Sequence, residues 1–403
     1  MSKLRLLSTY STMPVLLAIS GWFAFATFPL VGNAQAQPGR LAAAALTAEP
    51  AGAPPQLRQK PAAGRSEMSM VASVPVPPDP NELAAARVQV ASSPADRAAA
   101  LGLFERAMQN TKLHMPGTPP YQIHVSFTAA GDTAYVGSGE LTETWLSGQV
   151  WRWTASLGNF SIVRIGSQGI TVEDRHVTQI PSRIQMLRNS IFWAAETAPS
   201  DAQIRTAAVQ WNGRPATCVL TSRVAGPAAQ TQGRLWEEEE YCIDNATGAI
   251  QILSIAPGTY TVYGYSRNQQ FHGRLIPDRI TISVAGATIL DAQMDMTDST
   301  VVNAGQLAPK PEMLANGPVI TLMLPTRFAL DSPVASPTGM VQPVIVHAQI
   351  SADGSVVEAE LCAASNSSLA QSALDLVRQT TFPPTGFTQR QAYINVRFVP
   401  PSQ

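Results

Sequence analysis

Charge is scarce in this sequence. Only 14% of its 403 residues are Asp, Glu, Lys or Arg, against 45% hydrophobic, and the formal net charge is −1. Such a chain carries no electrostatic footprint for nucleic acid and no steering field of either sign. Cysteine is scarce as well, with three residues and neither Cys-x-x-Cys nor any zinc-type spacing. The five histidines, His114, His124, His176, His272 and His347, are scattered, and none has a partner at the spacing of His-Glu-x-x-His. A Gly-x-Ser-x-Gly elbow, a Walker loop and a dinucleotide glycine loop are all missing. The expectation is a protein that is not an enzyme and that uses no cofactor and no metal.

What the chain does have begins with an export pattern. Lys3 and Arg5 precede an uncharged stretch from Pro14 to Gly32, which ends at Ala34-Gln35-Ala36. Residues 1–36 therefore read as a signal peptide with a small-x-small cleavage site. The rival reading is an uncleaved anchor, since the apolar span approaches the length that crosses a bilayer. Pro14, Gly21 and Pro29 favour cleavage, and the lack of a cysteine after the run argues against a lipid anchor. The remainder is expected in the periplasm, freely diffusing if the segment is cleaved and inner-membrane anchored if it is kept. Residues 37–92 are rich in Ala, Pro and Gln and nearly free of aromatics, a composition that cannot offset chain entropy and suits an extended tether.

The last sixty residues carry the clearest pattern. Val344, Val346, Ala348 and Ile350 alternate with Ile345, His347 and Gln349, and Asp353-Gly354 follows, which suits a two-residue type I′ hairpin. Folding about that turn pairs Ile350 with Val357, Ala348 with Ala359, Val346 with Leu361 and Val344 with Ala363, all on one face. His347 then faces Glu360 on the solvent side. Ser367 or Ser368 can cap a helix with the stripe Leu369, Ala373, Leu376 and Val377, and Phe382-Pro383-Pro384 stops it. Ala392, Ile394, Val396 and Phe398 form a third alternating strand. The order is ββαβ.

This segment resembles the C-terminal domain of the TonB energy-transducer family. The shared features are the strand into Ala352-Asp353-Gly354-Ser355-Val356, the helix at Ala373-Leu374-Asp375-Leu376-Val377-Arg378, the Phe382-Pro383 stop and the closing strand Tyr393 to Phe398. The resemblance covers about residues 318–400. It implies contact with an envelope protein partner by strand addition, in which an exposed sheet edge pairs with an extended segment of the partner. The third strand is the candidate edge, with Arg390, Tyr393, Asn395 and Arg397 as its binding residues, possible service being TonB-linked transport.

Between tether and terminal module lies a second pattern. Ser93-Pro94-Ala95-Asp96 opens a helix with Ala100, Leu101, Phe104, Ala107 and Met108 on one stripe. A second helix from about Pro181 buries Ile184, Leu187 and Ile191. Alternating strands such as Tyr121, Ile123, Val125, Phe127 and Trp151, Trp153, Ala155, Leu157 surround it, and Asn212-Gly213 marks another hairpin. The expected class is α+β: an antiparallel, partly closed β-barrel-like domain with helices over 93–298, a linker over 299–317, and the small ββαβ domain over 318–403. The middle region is similar to the periplasmic lipoprotein-sorting carriers, through Gly139-Glu140-Leu141, Glu143-Thr144-Trp145, Trp151-Arg152-Trp153 and Asn245-Ala246-Thr247-Gly248. That resemblance implies a carrier or sensor of a lipid or other apolar ligand as the alternative function. Core packing is the plainer role for the tryptophans.

Cys218 and Cys242 lie on strands whose midpoint falls at Gln230, in the connecting loop. A symmetrical hairpin sets them opposite each other and predicts a disulfide, with Arg223 opposite Glu237. Cys362 is left over, on the face of its strand with Glu358 and Glu360. The run Glu237-Glu238-Glu239-Glu240 reads as a solvated edge strand.

Overall fold

The structure is a computed structural model and describes residues 89–91, 93–115, 117–174, 179–192, 194, 202–222, 234–299, 304–319, 324–385 and 389–400. The export segment, nearly all of the tether, Arg223 and His176 lie outside the described residues. Among the described residues no helix is long and apolar enough to cross a membrane.

The middle region is built from β1 (Gln89–Val90), β2 (Tyr121–Ala129), β3 (Gly137–Ser147), β4 (Val150–Leu157), β5 (Phe160–Ser167), β6 (Ile170–Glu173), β7 (Gln203–Trp211) and β8 (Arg214–Ser222). It continues through β9 (Glu239–Asp244), β10 (Ile250–Ser254), β11 (Thr259–Gly264), the small hairpin β12 (Gln270–Phe271) and β13 (Arg274–Leu275), β14 (Arg279–Val284) and β15 (Ala287–Asp298). Thirteen of these strands form one antiparallel sheet in the order β1-β7-β8-β9-β10-β11-β14-β15-β2-β3-β4-β5-β6. β1 and β6 end the sheet without meeting, so the expected partly closed barrel is instead an open sheet. Short hairpins explain the order, because a tight turn returns each strand beside the last. At Asn212-Gly213 both residues have φ above zero, as a type I′ turn requires.

Two helices cover one face of the sheet. In α1 (Pro94–Thr111) the Ser93 hydroxyl accepts from the Asp96 N–H at 3.0 Å, and Ala100, Leu103, Phe104 and Ala107 are buried. In α2 (Ser182–Phe192) all eleven residues are buried, polar ones included. Ile184, Leu187 and Ile191 enter the core of the large sheet, as their spacing predicts. Arg183, Gln185, Arg188 and Asn189 are buried as well, which an amphipathic helix on a sheet does not require. A second sheet lies over the helix.

That second sheet joins β16 (Thr326–Asp331), β17 (Gln342–Ser351), β18 (Val356–Ala364) and β19 (Gln389–Phe398) in the order β16-β19-β17-β18, with α4 (Ala370–Gln379) on its outer face. The five-residue α3 (Pro311–Ala315) precedes it. The apolar set is as predicted: Val344, Val346, Ala348, Ile350, Ala392, Ile394, Val396 and Phe398 pack with Leu369, Ala373 and Val377. Each valine, leucine, isoleucine or phenylalanine among them is worth about 1.5–3 kcal/mol when fully buried. Ala348 faces Ala359 and Val346 faces Leu361, but Ile350 faces Val356 and Val344 faces Ala364. Two bulges cause these shifts. The turn is closed by the Gly354 N–H on the Ser351 carbonyl at 3.0 Å, and Gly354 (φ +91°) is its left-handed residue. Asp353 is not left-handed, so the turn is not type I′, and the extra residue at Gly354 shifts the register by one. The helix entry is capped by Asn366, whose side chain accepts from the Ser368 N–H at 3.0 Å, in place of Ser367 or Ser368.

The predicted ββαβ unit lacks one strand. β16 pairs in parallel with β19 over the whole length of β16, which makes the sheet mixed and moves β19 inside it. The segment read as a linker is packed: Met313 sits with Ile165 and Val172, and the Asn316 side chain donates to the Glu173 carbonyl at 3.3 Å.

Candidate functional site

The polar face of the smaller sheet is not solvated. Gln349, Gln389 and Gln391 are buried against the start of α2, where main-chain groups meet them. Gln349 and Gln389 both donate to the Ile180 carbonyl, at 2.8 and 2.9 Å, and Gln391 donates to the Ser182 carbonyl at 3.0 Å. The Ile180 N–H donates back to Gln389 Oε1 at 2.6 Å. Proline at 181 has no N–H, so nothing is left unmet between the two clamped residues.

Charge reinforces these amides. Both terminal nitrogens of Arg183 donate to Glu360, at 2.9 and 2.8 Å, while Arg183 Nε donates to the Ala130 carbonyl at 3.0 Å. The Ser182 hydroxyl donates to Glu358 at 2.6 Å. From β16, Arg327 donates to the Trp236 carbonyl at 2.8 Å and to the Ile255 carbonyl. Gly258 comes so close to the other sheet that a Cβ there would lie 2.0 Å from the Cys362 carbonyl oxygen. Ile345, Cys362 and Tyr393 thereby join the core of the large sheet. Burial pushes the Cys362 thiol up to about 12 and raises the Tyr393 phenol above its ordinary range.

This seam corrects the predicted binding residues. β19 is paired on both sides, so it offers no edge. Tyr393 and Asn395 are buried in the seam. Arg390 lies on the other face, buried over the Phe328 ring at 5.0 Å and donating to the Pro383 carbonyl. Arg397 is half-buried and holds Asp331 of β16 at 2.8 Å. β16 was the missed strand; its weakly alternating sequence Thr-Arg-Phe-Ala-Leu-Asp gives little signal before a partner is known.

Among the described residues, the outer strands of the smaller sheet are β16 and β18, each paired on one side. Beside β18 lies a cleft of about 470 Å³, lined by Tyr135, Ile180, Val357, Glu358, Ala359 and Arg378 among others. The Ala359 carbonyl points out of the sheet, where Arg378 reaches it at 3.4 Å, and Val357 is 44% exposed.

Within the large sheet, the sequence reading missed the buried ions. Glu143 accepts from Arg188 at 3.1 Å and from the Tyr121 hydroxyl at 3.2 Å, and it is bonded to His114, which stacks between Trp145 and Phe192. Burial opposes the Glu143 charge, but His114 and then Arg188 outweigh it and hold the carboxyl below its ordinary range. Burial, then the Glu143 charge, raises the Tyr121 phenol. The glutamate run is not a solvated edge: β9 is interior, Glu238 takes Arg205 at 2.6 Å through both oxygens, and Glu240 pairs with Arg234. α1 and α2 pack on one face of the large sheet, and a second apolar cluster of Ala207, Val209, Leu220 and the two half-cystines lies on the other. Cys218 and Cys242 stand opposite each other and form the predicted disulfide. They and Glu240 are the tightest grouping of metal-ligand types among the described residues, and the disulfide leaves no thiolate there.

Residues 333–400 match the family model for the Gram-negative bacterial TonB protein C-terminal domain. No curated protein matches the chain. Among solved structures, the chain is similar to a LolA superfamily protein from Nitrosomonas europaea, at 10% identity and a TM-score of 0.32, over 49% of this chain and 91% of that one. It is also similar to an outer membrane lipoprotein-sorting protein domain from Vibrio parahaemolyticus, at 8% identity and a TM-score of 0.32, over 52% and 97%. A third similarity is to the MucA/MucB complex of Pseudomonas aeruginosa, at 13% identity and a TM-score of 0.23, over 64% and 82%.

Proposed function

We propose that this protein is a periplasmic, cell-envelope binding protein whose terminal module captures an extended segment of a partner protein at the edge of β18. The match of residues 333–400 to the TonB C-terminal family supports an envelope protein-interaction role. The observation that carries the site is the unpaired side of β18 beside its cleft. A strand residue sends its N–H and C=O to the same side. The outward carbonyl of Ala359 therefore marks an outward N–H, a ready ladder position for a visiting strand. The reading involves binding and no catalytic step.

A photoreactive residue at Val357 in cells should cross-link an envelope protein, and Ala359→Pro should abolish the adduct by removing the outward donor without touching the β17 ladder. Val334, also exposed, is the control position. An adduct that survives Ala359→Pro, or forms equally from Val334, would count against strand addition at this edge.

A further inference from the structure

We propose that residues 180–183 are an internal ligand of the smaller sheet, closing its polar face until a partner polypeptide with a similar carbonyl-and-arginine pattern takes their place. The face is built to read a chain. Three glutamine side chains meet main-chain groups of Ile180 and Ser182, as donors and as an acceptor, and two carboxylates take the Ser182 hydroxyl and the Arg183 guanidinium.

The fit is incomplete. His347 Nε2 and Asn395 Oδ1 are buried on this same face and have no hydrogen-bond partner among the described residues. A space of about 20 Å³ remains between Met186, Leu253, Ile255, Thr259, Gln391 and Tyr393. A polar, imperfectly filled contact is the character of surfaces that separate and rejoin. The inference does not depend on what the β18 edge binds.

The oxidised full-length protein carries its own reporter. Of three cysteines, two form the disulfide, and Cys362 is a thiol buried in the seam. Glu360→Arg sets two like charges face to face. It should speed alkylation of Cys362 by at least about tenfold while the denaturation midpoint of the large sheet holds. A synthetic peptide of residues 179–192 carrying Arg183→Glu should slow the reaction again, and the double variant Glu360→Arg with Arg183→Glu should restore the original rate. If Glu360→Arg does not fold, Glu360→Gln is measured in the same way. Cys362 reacting only in step with global unfolding, or a rate indifferent to the peptide, would overturn the proposal.

Discussion

His347 and Glu360 stand opposite each other in adjacent strands, yet the carboxylate is turned to Arg183 and the imidazole is buried without a bond to Nε2. Burial is the main cause that draws His347 down to about 4; Glu360 opposes the shift and Arg183 adds to it. Glu358 and Cys362 on β18, Tyr393 on β19 and Arg327 on β16 complete the charged and titratable surroundings of the seam.

A histidine whose proton affinity is lowered by closure binds its proton better once the seam opens. The stability of the closed form is therefore complete above pH of about 6.5, falls as pH drops, and levels off below about 4. The loss amounts to at most about 3 kcal/mol. Chemical denaturation at pH 7 and pH 4.5 should reveal it, and His347→Gln should flatten the difference. An unchanged pH slope in that variant would remove His347 from the account.

Glu143→Ala removes the carboxylate shared by Arg188, His114 and Tyr121 inside the large sheet. Breaking a buried ion network in this way costs about 3–5 kcal/mol. Thermal unfolding should show a lower midpoint for the whole middle region, and Glu143→Gln should recover part of it by keeping two hydrogen bonds.

Gly354→Ala is costly for two reasons. The residue is left-handed at φ +91°, and a Cβ would lie 1.9 Å from the Phe382 carbonyl oxygen. A loss of about 1–3 kcal/mol in the smaller sheet is expected, with amide exchange speeding first in β17 and β18. Asp353→Ala, which removes only the carboxylate that accepts from the Ser355 N–H at 3.0 Å, should cost less.

Reducing the Cys218–Cys242 bond frees a loop between residues 24 apart. Loop entropy puts the loss at about 3–4 kcal/mol. Urea denaturation with and without reductant, compared with the Cys218→Ser, Cys242→Ser double variant, measures it; equal midpoints in all three would mean the bond constrains nothing.

Local pattern carried much of this architecture. The alternation in 344–350 and 392–398 placed both inner strands and their apolar face, Ser93-Pro94 placed the start of α1, and hairpin symmetry about Gln230 paired the cysteines. What stayed hidden depends on partners far away in sequence. Nothing in residues 180–191 says that a second sheet will cover their polar side, so His347 and Glu360 read as solvated. Glu238 and Glu240 looked like an exposed run because Arg205 and Arg234 join them only after the sheet forms. β16 is parallel to β19 and reaches it by a long connection, which no turn motif announces.

The parallel strand has a practical consequence for anyone cutting this protein into pieces. The family match begins at residue 333, just past Asp331, where β16 ends. A fragment trimmed to that boundary would lose its outermost ribbon and expose the backbone of Arg390 to Phe398 along one side. It would gain an adhesive margin that the intact molecule does not possess, and pull-down experiments with it would report partners created by the scissors.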